Sequence, residues 1–336
     1  MDFLNAIVAL SNFVLVPAIA YGSQLALGAL GVTLIYGILR FSNFAHGDTM
    51  AFGAMITILV TWAFQAWGIG FGPLPTALLA LPFGILGCMA LVLFTDRYIY
   101  QFYRAQKAKP VILVIVSLGV MFIMNGLVRF IIGPNDQRFS DGERFIISVR
   151  EFKALTGLKE GLAFKTTQGI TIVTAVIVVA LLFWFLNRTR TGKSMRAYSD
   201  NEDLALLSGI NPERVVMITW LLVATLATVA GVLYGLDKSF KPFTYFQLLL
   251  PIFASAIVGG LGSPLGAIAG GFTIAFSEVM VTYAWKKVAN YVLPEALAPD
   301  GLAQLLSTDY KFAVSFVILL IVLLFRPTGL FAGKSV

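Results

Sequence analysis

Polar and ionisable side chains crowd into Arg40-Phe41-Ser42-Asn43-Phe44-Ala45-His46-Gly47-Asp48, between two apolar runs with almost no linker. Non-helical backbone at membrane depth survives only where protein or a water-filled cavity satisfies it, and ionisable residues there usually mark pathways. Asn43, His46 and Asp48 are therefore candidates for lining a translocation path. The alternative is an ordinary turn in which Ser42 or Asn43 caps the next helix and Asp48 favours its positive end, or in which His46 and Asp48 pair.

A second group is Gly259-Gly260-Leu261-Gly262-Ser263-Pro264-Leu265-Gly266, with Gly270-Gly271 following. Gly262, Gly266 and Gly270 recur every four residues, which suits close helix packing. Gly259, Gly260 and Pro264 equally suit a discontinuous helix whose free amides and carbonyls line a path. The two readings are compatible.

The third group runs from Ser194 to Pro212. Ser199 and Glu202 have capping-box spacing, Asp200, Glu202 and Asp203 suit a helix amino end, and Gly209 suits its termination. Asn211 then caps another helix with Pro212 in its first position. A two-turn helix is marginal alone, so Leu204, Leu206 and Leu207 need a surface: the protein's own body, or a partner that pushes on this element.

Other chemistry is scarce. His46 is the only histidine and Cys88 the only cysteine, which excludes a Ser/His/Asp set, a multi-histidine metal site and a disulfide framework. Asn187 to Ser194 approaches the phosphate-loop pattern, but it begins with Asn and follows an apolar span where a strand is required. Neither a cofactor nor a metal is expected, nor a nucleic-acid partner. Energy from ATP would have to arrive through another polypeptide. Gln24, Asn125, Arg129 and Glu278 stand inside apolar runs, either as conduit lining or in polar pairs.

The elements that must position these residues are membrane spans. Of 336 residues, 58% are hydrophobic and 12% charged, with a net charge of +7, far from the roughly 25% charged of a soluble domain. Apolar runs cover 14–39, 48–67, 73–95, 110–132, 168–187, 214–236 and 311–325, with a longer, glycine-interrupted one over 246–282. The expectation is one all-α transmembrane domain over 1–336 with about eight or nine spans, some discontinuous.

Lys and Arg concentrate at 96–109 (Arg97, Arg104, Lys107, Lys109), at 188–214 (Arg188, Arg190, Lys193, Arg196, Arg214) and in the tail (Arg326, Lys334). Positive loops stay in the cytoplasm, so these share the inner side. An even number of crossings must then lie between 214 and the tail, and 246–282 crosses twice or dips and returns. The 40–47 connection falls inside; the amino terminus and the loop 133–167 fall outside. No Lys or Arg precedes Arg40, so the first apolar stretch is expected to remain uncleaved.

At these three segments the chain resembles the permease subunits of ABC importers for branched-chain amino acids, the hydrophobic-amino-acid uptake family. Gly31-Val-Thr-Leu-Ile-Tyr36-Gly37 leading into Asn43–Asp48 is similar to the family's first signature, Arg196-Ala197 through Asp203-Leu204-Ala205 and Gly209-Ile210-Asn211 to its coupling segment, and Val258–Gly266 to its glycine-rich signature. The resemblance implies a bacterial inner-membrane translocation subunit rather than an enzyme. It further implies a second homologous permease, two ATP-binding subunits and a periplasmic substrate-binding protein as partners, besides membrane lipid. The ATPase contact would fall on 188–213, at Arg196, Asp200, Glu202, Asp203, Leu204, Leu207 and Gly209. The long 133–167 loop departs from the pattern, and related permeases carry urea and short amides. An ion-coupled carrier is the competing class and would need a coupling-ion site within the spans.

Overall fold

Prolines mark where long helices begin: Pro110, Pro212, Pro242 and Pro264 each sit in a first turn, where the fixed φ is pre-set and the missing N–H has no partner to lose. The computed structural model describes residues 2–292, 299 and 301–331. Lys334, counted above with the tail, lies outside them.

In chain order, α1 (Asp2–Leu10) passes through a π-helical turn into α2 (Val16–Leu39). Next come α3 (His46–Ala66) and α4 (Ala77–Thr95), which continues through a second π-helical turn, Asp96–Tyr100, into α5 (Gln101–Ala105). After α6 (Pro110–Ile132), β1 (Phe145–Ile147), α7 (Val149–Thr156) and β2 (Phe164–Lys165) form a small outlying layer, the strands pairing antiparallel. Helices α8 (Thr166–Arg188), α9 (Arg190–Asp200), α10 (Glu202–Leu207) and α11 (Pro212–Lys238) follow. The chain closes with α12 (Pro242–Gly259), α13 (Pro264–Thr282), α14 (Lys286–Val292) and α15 (Lys311–Phe325).

Among the described residues, nine helices are long and apolar enough to cross a membrane. The expected spans are all present. The first is longer than read, Asp2–Leu39, because α1 prolongs it, and the third carries Arg97 and Arg104 on helix to Ala105. The ambiguous 246–282 stretch resolves into α12 and α13, two helices long enough to cross, which satisfies the even count. The 133–167 segment is not a bare loop: Ser148 and Glu151 cap α7 reciprocally, a spacing visible in the sequence.

Helices α2 and α11 are buried along most of their length and form the centre with α3, α12 and α13. The rim, α6, α8 and α15, turns apolar side chains outward: Phe130 is 88% exposed and Leu324 80%, a surface that hydrocarbon must cover.

Contacts sort the connections into two ends. At one, Arg40 donates to the Ser199 carbonyl at 2.6 Å, Tyr100 donates to Asn43 at 3.3 Å, Gln101 donates to Glu213, and the Leu330 amide reaches the Val258 carbonyl. At the other, Gln137 pairs with Phe240, and Asn5 accepts from the amides of Lys159 and Glu160. The positive segments 96–109 and 188–214 thus share an end with 40–47 and the tail, opposite the amino terminus and 133–167.

Asp141 fastens the outlying segment to the bundle. It accepts from the Thr76 amide at 2.7 Å, the Thr76 hydroxyl at 2.6 Å and Gln65 at 2.9 Å. Partial burial works to raise its pKa, but these hydrogen bonds outweigh it and hold the carboxyl below its ordinary value. A depressed carboxylate stabilises the fold fully above the unfolded value of about 3.9 and loses that contribution as pH falls through the native value. Asp141→Asn at neutral pH is expected to remove on the order of 2 kcal/mol of local stability, read as faster hydrogen exchange over 137–145. The wild type should lose the same protection only below about pH 4, and an unchanged exchange pattern in the variant would refute the clasp.

Candidate functional site

The 188–213 segment is built by three caps in succession. Thr189 accepts from the Gly192 amide at 3.0 Å and starts α9, Asn201 accepts from the Leu204 amide at 3.0 Å and starts α10, and Asn211 accepts from the Arg214 amide at 3.2 Å and starts α11. Gly209 takes φ +79° between α10 and α11, a left-handed conformation that glycine adopts without a Cβ penalty. The expected short helix, its glycine stop and the Asn211-Pro212 restart are all found.

The cap itself differs from the reading. Ser199 lies inside α9, whose Met195 and Tyr198 are buried, and Asn201 takes the capping position. Glu202 instead receives the Tyr198 hydroxyl at 2.6 Å. Burial, then the hydrogen bond to that carboxylate, raise the Tyr198 phenol above its ordinary pKa.

The leucines do not lie on the protein's own body. Ala205 is the buried side of α10, at 3%, while Leu204 is 61% exposed, Leu206 43% and Leu207 85%. Arg196, Asp200, Glu202, Asp203 and Gly209 are exposed around them.

Behind this knob lies the 40–45 turn. Arg40 adopts φ +57° and ends α2. Asn43 forms a local turn by accepting from the Ala45 amide at 3.1 Å, rather than capping α3 with its side chain. Ser117 on α6 holds the Phe44 amide at 3.1 Å. His46 is fully buried in the space beside Gly31, where a Cβ would strike the imidazole. It does not pair with Asp48, which accepts from Asn125 at 2.7 Å.

Gly260 and Gly262, at φ +110° and +85°, form the second turn, and Ser263 caps α13 by accepting from the Gly266 amide at 3.2 Å. Close packing is realised, with a change of membership. Gly259, Gly266 and Gly270 lie against the facing backbone of the α12–α13 pair, while Gly262 sits in the turn with open space around its Cβ position. Gly262 and Pro264 join Thr33, Gly37, Arg196 and Asp200 around a cleft of about 190 Å³, so the second turn, the end of α2 and α9 meet at one place, while Asn43, His46 and Asp48 do not line it.

The scattered intramembrane polar residues are paired. Gln24 donates to the Leu233 carbonyl, Arg129 lies over the Phe243 ring at 5.6 Å, and Ser315 donates to Glu278. Sequence reading missed Asp96, which ties the α4–α5 extension to α11 by accepting from Trp220 at 2.7 Å and pairing with Arg104. An acid at the end of an apolar run was its only signal.

Fold and site together define a polytopic helical membrane protein with a protruding, well-delimited polar knob on one face. A family model described as "Branched-chain amino acid transport system / permease component" matches residues 14–323, and the chain belongs to that family. The high-affinity branched-chain amino acid transport system permease protein LivH of Salmonella typhimurium is 27% identical over 327 residues, covering 95% of this chain and 94% of the relative. The corresponding BraD of Pseudomonas aeruginosa is 27% identical over 325 residues, covering 96% of each. A solved structure, PsaBC from Streptococcus pneumoniae in complex with Fab, aligns over 98% of both chains at 13% identity with a TM-score of 0.47.

Proposed function

We propose that this permease is the membrane-spanning half of an ATP-driven importer of branched-chain amino acids, worked by two ATP-binding subunits that press on α10. A second homologous permease completes the channel, and a periplasmic binding protein delivers substrate at the opposite end. The carrying observation is the exposure of Leu204 and Leu207 on a helix fixed at both ends by Asn201 and by Gly209-Ile210-Asn211. Two leucines held in water by rigid backbone call for a partner surface. The names of relatives that match along nearly their whole length support the substrate class.

The knob end faces the cytoplasm in this reading, because it gathers the lysines and arginines of 96–109 and 188–214. The path runs to the cleft that the end of α2 and α9 form with the second turn. Asn43, His46 and Asp48 hold the first turn, and Gly259, Gly260, Gly262, Pro264 and Gly266 form the second, so displacement of α9 and α10 opens its inner mouth.

Reconstitution tests the proposal. Proteoliposomes holding the assembled transporter are expected to accumulate leucine only when ATP reaches the side bearing the ATP-binding subunits and receptor is present on the other. The chain alone should accumulate nothing. Uphill accumulation by the chain alone on an ion gradient would overturn the reading in favour of a secondary carrier.

A further inference from the structure

At the end opposite the knob, α11 terminates in a cavity of about 400 Å³ between its last turn and the 138–144 segment. This lies within the roughly 300–1,000 Å³ of small-molecule sites. Its floor includes the buried apolar residues Phe139 and Leu236. Arg138, Arg144 and Lys165 stand around it, and among the described residues none of the three makes an ion pair. Asp237 lines the same space with its side chain 4% exposed. One carboxylate oxygen takes Lys238 at 3.2 Å and the other is buried with no hydrogen-bond partner among the described residues. Asp141 is spent on Thr76 and Gln65, and Glu143 stands at the exposed rim with Arg138 and Arg144.

We propose that this cavity is a low-affinity holding site for a free α-amino acid, its carboxylate taken by Arg138 and Arg144, its ammonium by Asp237, and its side chain laid on Phe139 and Leu236. The inference rests on the importer reading for the substrate's side-chain class. Cations that make no ion pair, although Arg144 lies over the Phe145 ring at 5.2 Å, and an incompletely satisfied acid around one concavity suit a ligand carrying both charges. The position is apt, since α11 runs unbroken from Asp237 to the Asn211 cap beside α10, a rod of about 40 Å at 1.5 Å per residue.

Equilibrium binding to the full chain, copurified with its partner subunits in lipid nanodiscs without receptor, tests this. L-leucine is expected to bind about tenfold more tightly than N-acetyl-L-leucine, which lacks the ammonium, and than L-leucinamide, which lacks the carboxylate. Arg138→Gln with Arg144→Gln, both at exposed positions, should bring leucine level with leucinamide. Asp237→Asn should bring leucine level with the N-acetyl compound. Equal binding of all three probes, no binding of leucine, or leucine binding unmoved by either variant overturns the site; a surface that serves only to dock the receptor gives the second of these results. Equal affinity for L-serine and L-leucine with the charge preference intact upholds the site and removes the branched-chain assignment. ATP-driven leucine uptake with no binding here removes the site and leaves that assignment standing.

Discussion

A valine at Gly270 is expected to leave little folded protein in the membrane. A Cβ there would land on the Ser255 carbonyl oxygen and 2.8 Å from the Gly259 amide nitrogen, both of them backbone. The other side of α13 is as tight: a Cβ on Gly271 would come 2.7 Å from the Ala26 amide nitrogen of α2. Helix α13 is thus clamped between two backbones and cannot retreat from one without striking the other. Overpacking costs about 1–3 kcal/mol where side chains can yield, and here only main chain is available to move. Between helices in lipid, packing is most of what holds the pair together. The matched control is Gly126→Val on α6, where a Cβ meets nothing within 4 Å. Fluorescence-detected size exclusion of the solubilised protein reads the result: Gly126→Val should give the wild-type monodisperse peak and Gly270→Val should lose it. A wild-type peak and melting temperature for Gly270→Val would refute the clamp.

The same segment shows what a sequence carries and where it stops. Apolar length alone locates the spans, because a helix crossing hydrocarbon needs about 20 such residues whatever its neighbours are. Positive-charge parity supplies the even crossing count for 246–282, since orientation is a property of loops and not of contacts. The phase of the glycine stripe is another matter. Spacing groups Gly262 with Gly266 and Gly270, but the helix begins only at Pro264, so Gly259 of the preceding helix takes the place assigned to Gly262. That substitution depends on how α12 folds back, which no local pattern encodes.

The 188–213 segment divides in the same way. Its glycine stop and its Asn211-Pro212 restart are local chemistry and were legible. Its start was not, because Ser199 and Asn201 both offer a side-chain acceptor ahead of acids. The choice is made by burial of Met195 and Tyr198, which carries α9 on to Asp200. Tertiary pairing likewise decides that Asp48 meets Asn125 instead of His46, and that Asp96 meets Trp220. Whether Leu204 and Leu207 lie on the protein's own body was open in the sequence for this reason, and their exposure now weighs toward a partner.

Replacing Leu204 and Leu207 together with aspartate should reduce ATP-dependent uptake to background while the protein stays inserted and folded. Stability is spared because the side chains are 61% and 85% exposed and the buried face of α10 is Ala205; surface changes of this kind usually stay within about 0.5 kcal/mol. Coupling is not spared. Each leucine buried against a partner contributes about 1.5–3 kcal/mol, so losing both amounts to about 3–6 kcal/mol, a hundredfold or more in affinity at about 1.4 kcal/mol per tenfold. Two carboxylates forced into the same apolar surface add desolvation to that loss. The ATP-binding subunits should therefore fail to copurify with the double variant. The signature of a mechanical contact is that leucine binding at the opposite end survives while receptor-stimulated ATP hydrolysis disappears, because α11 still stands but nothing grips its base. Leu204→Ile with Leu207→Met keeps the apolar area and should restore copurification and most uptake. If the aspartate pair copurifies and transports like wild type, α10 is not where ATP hydrolysis enters this protein.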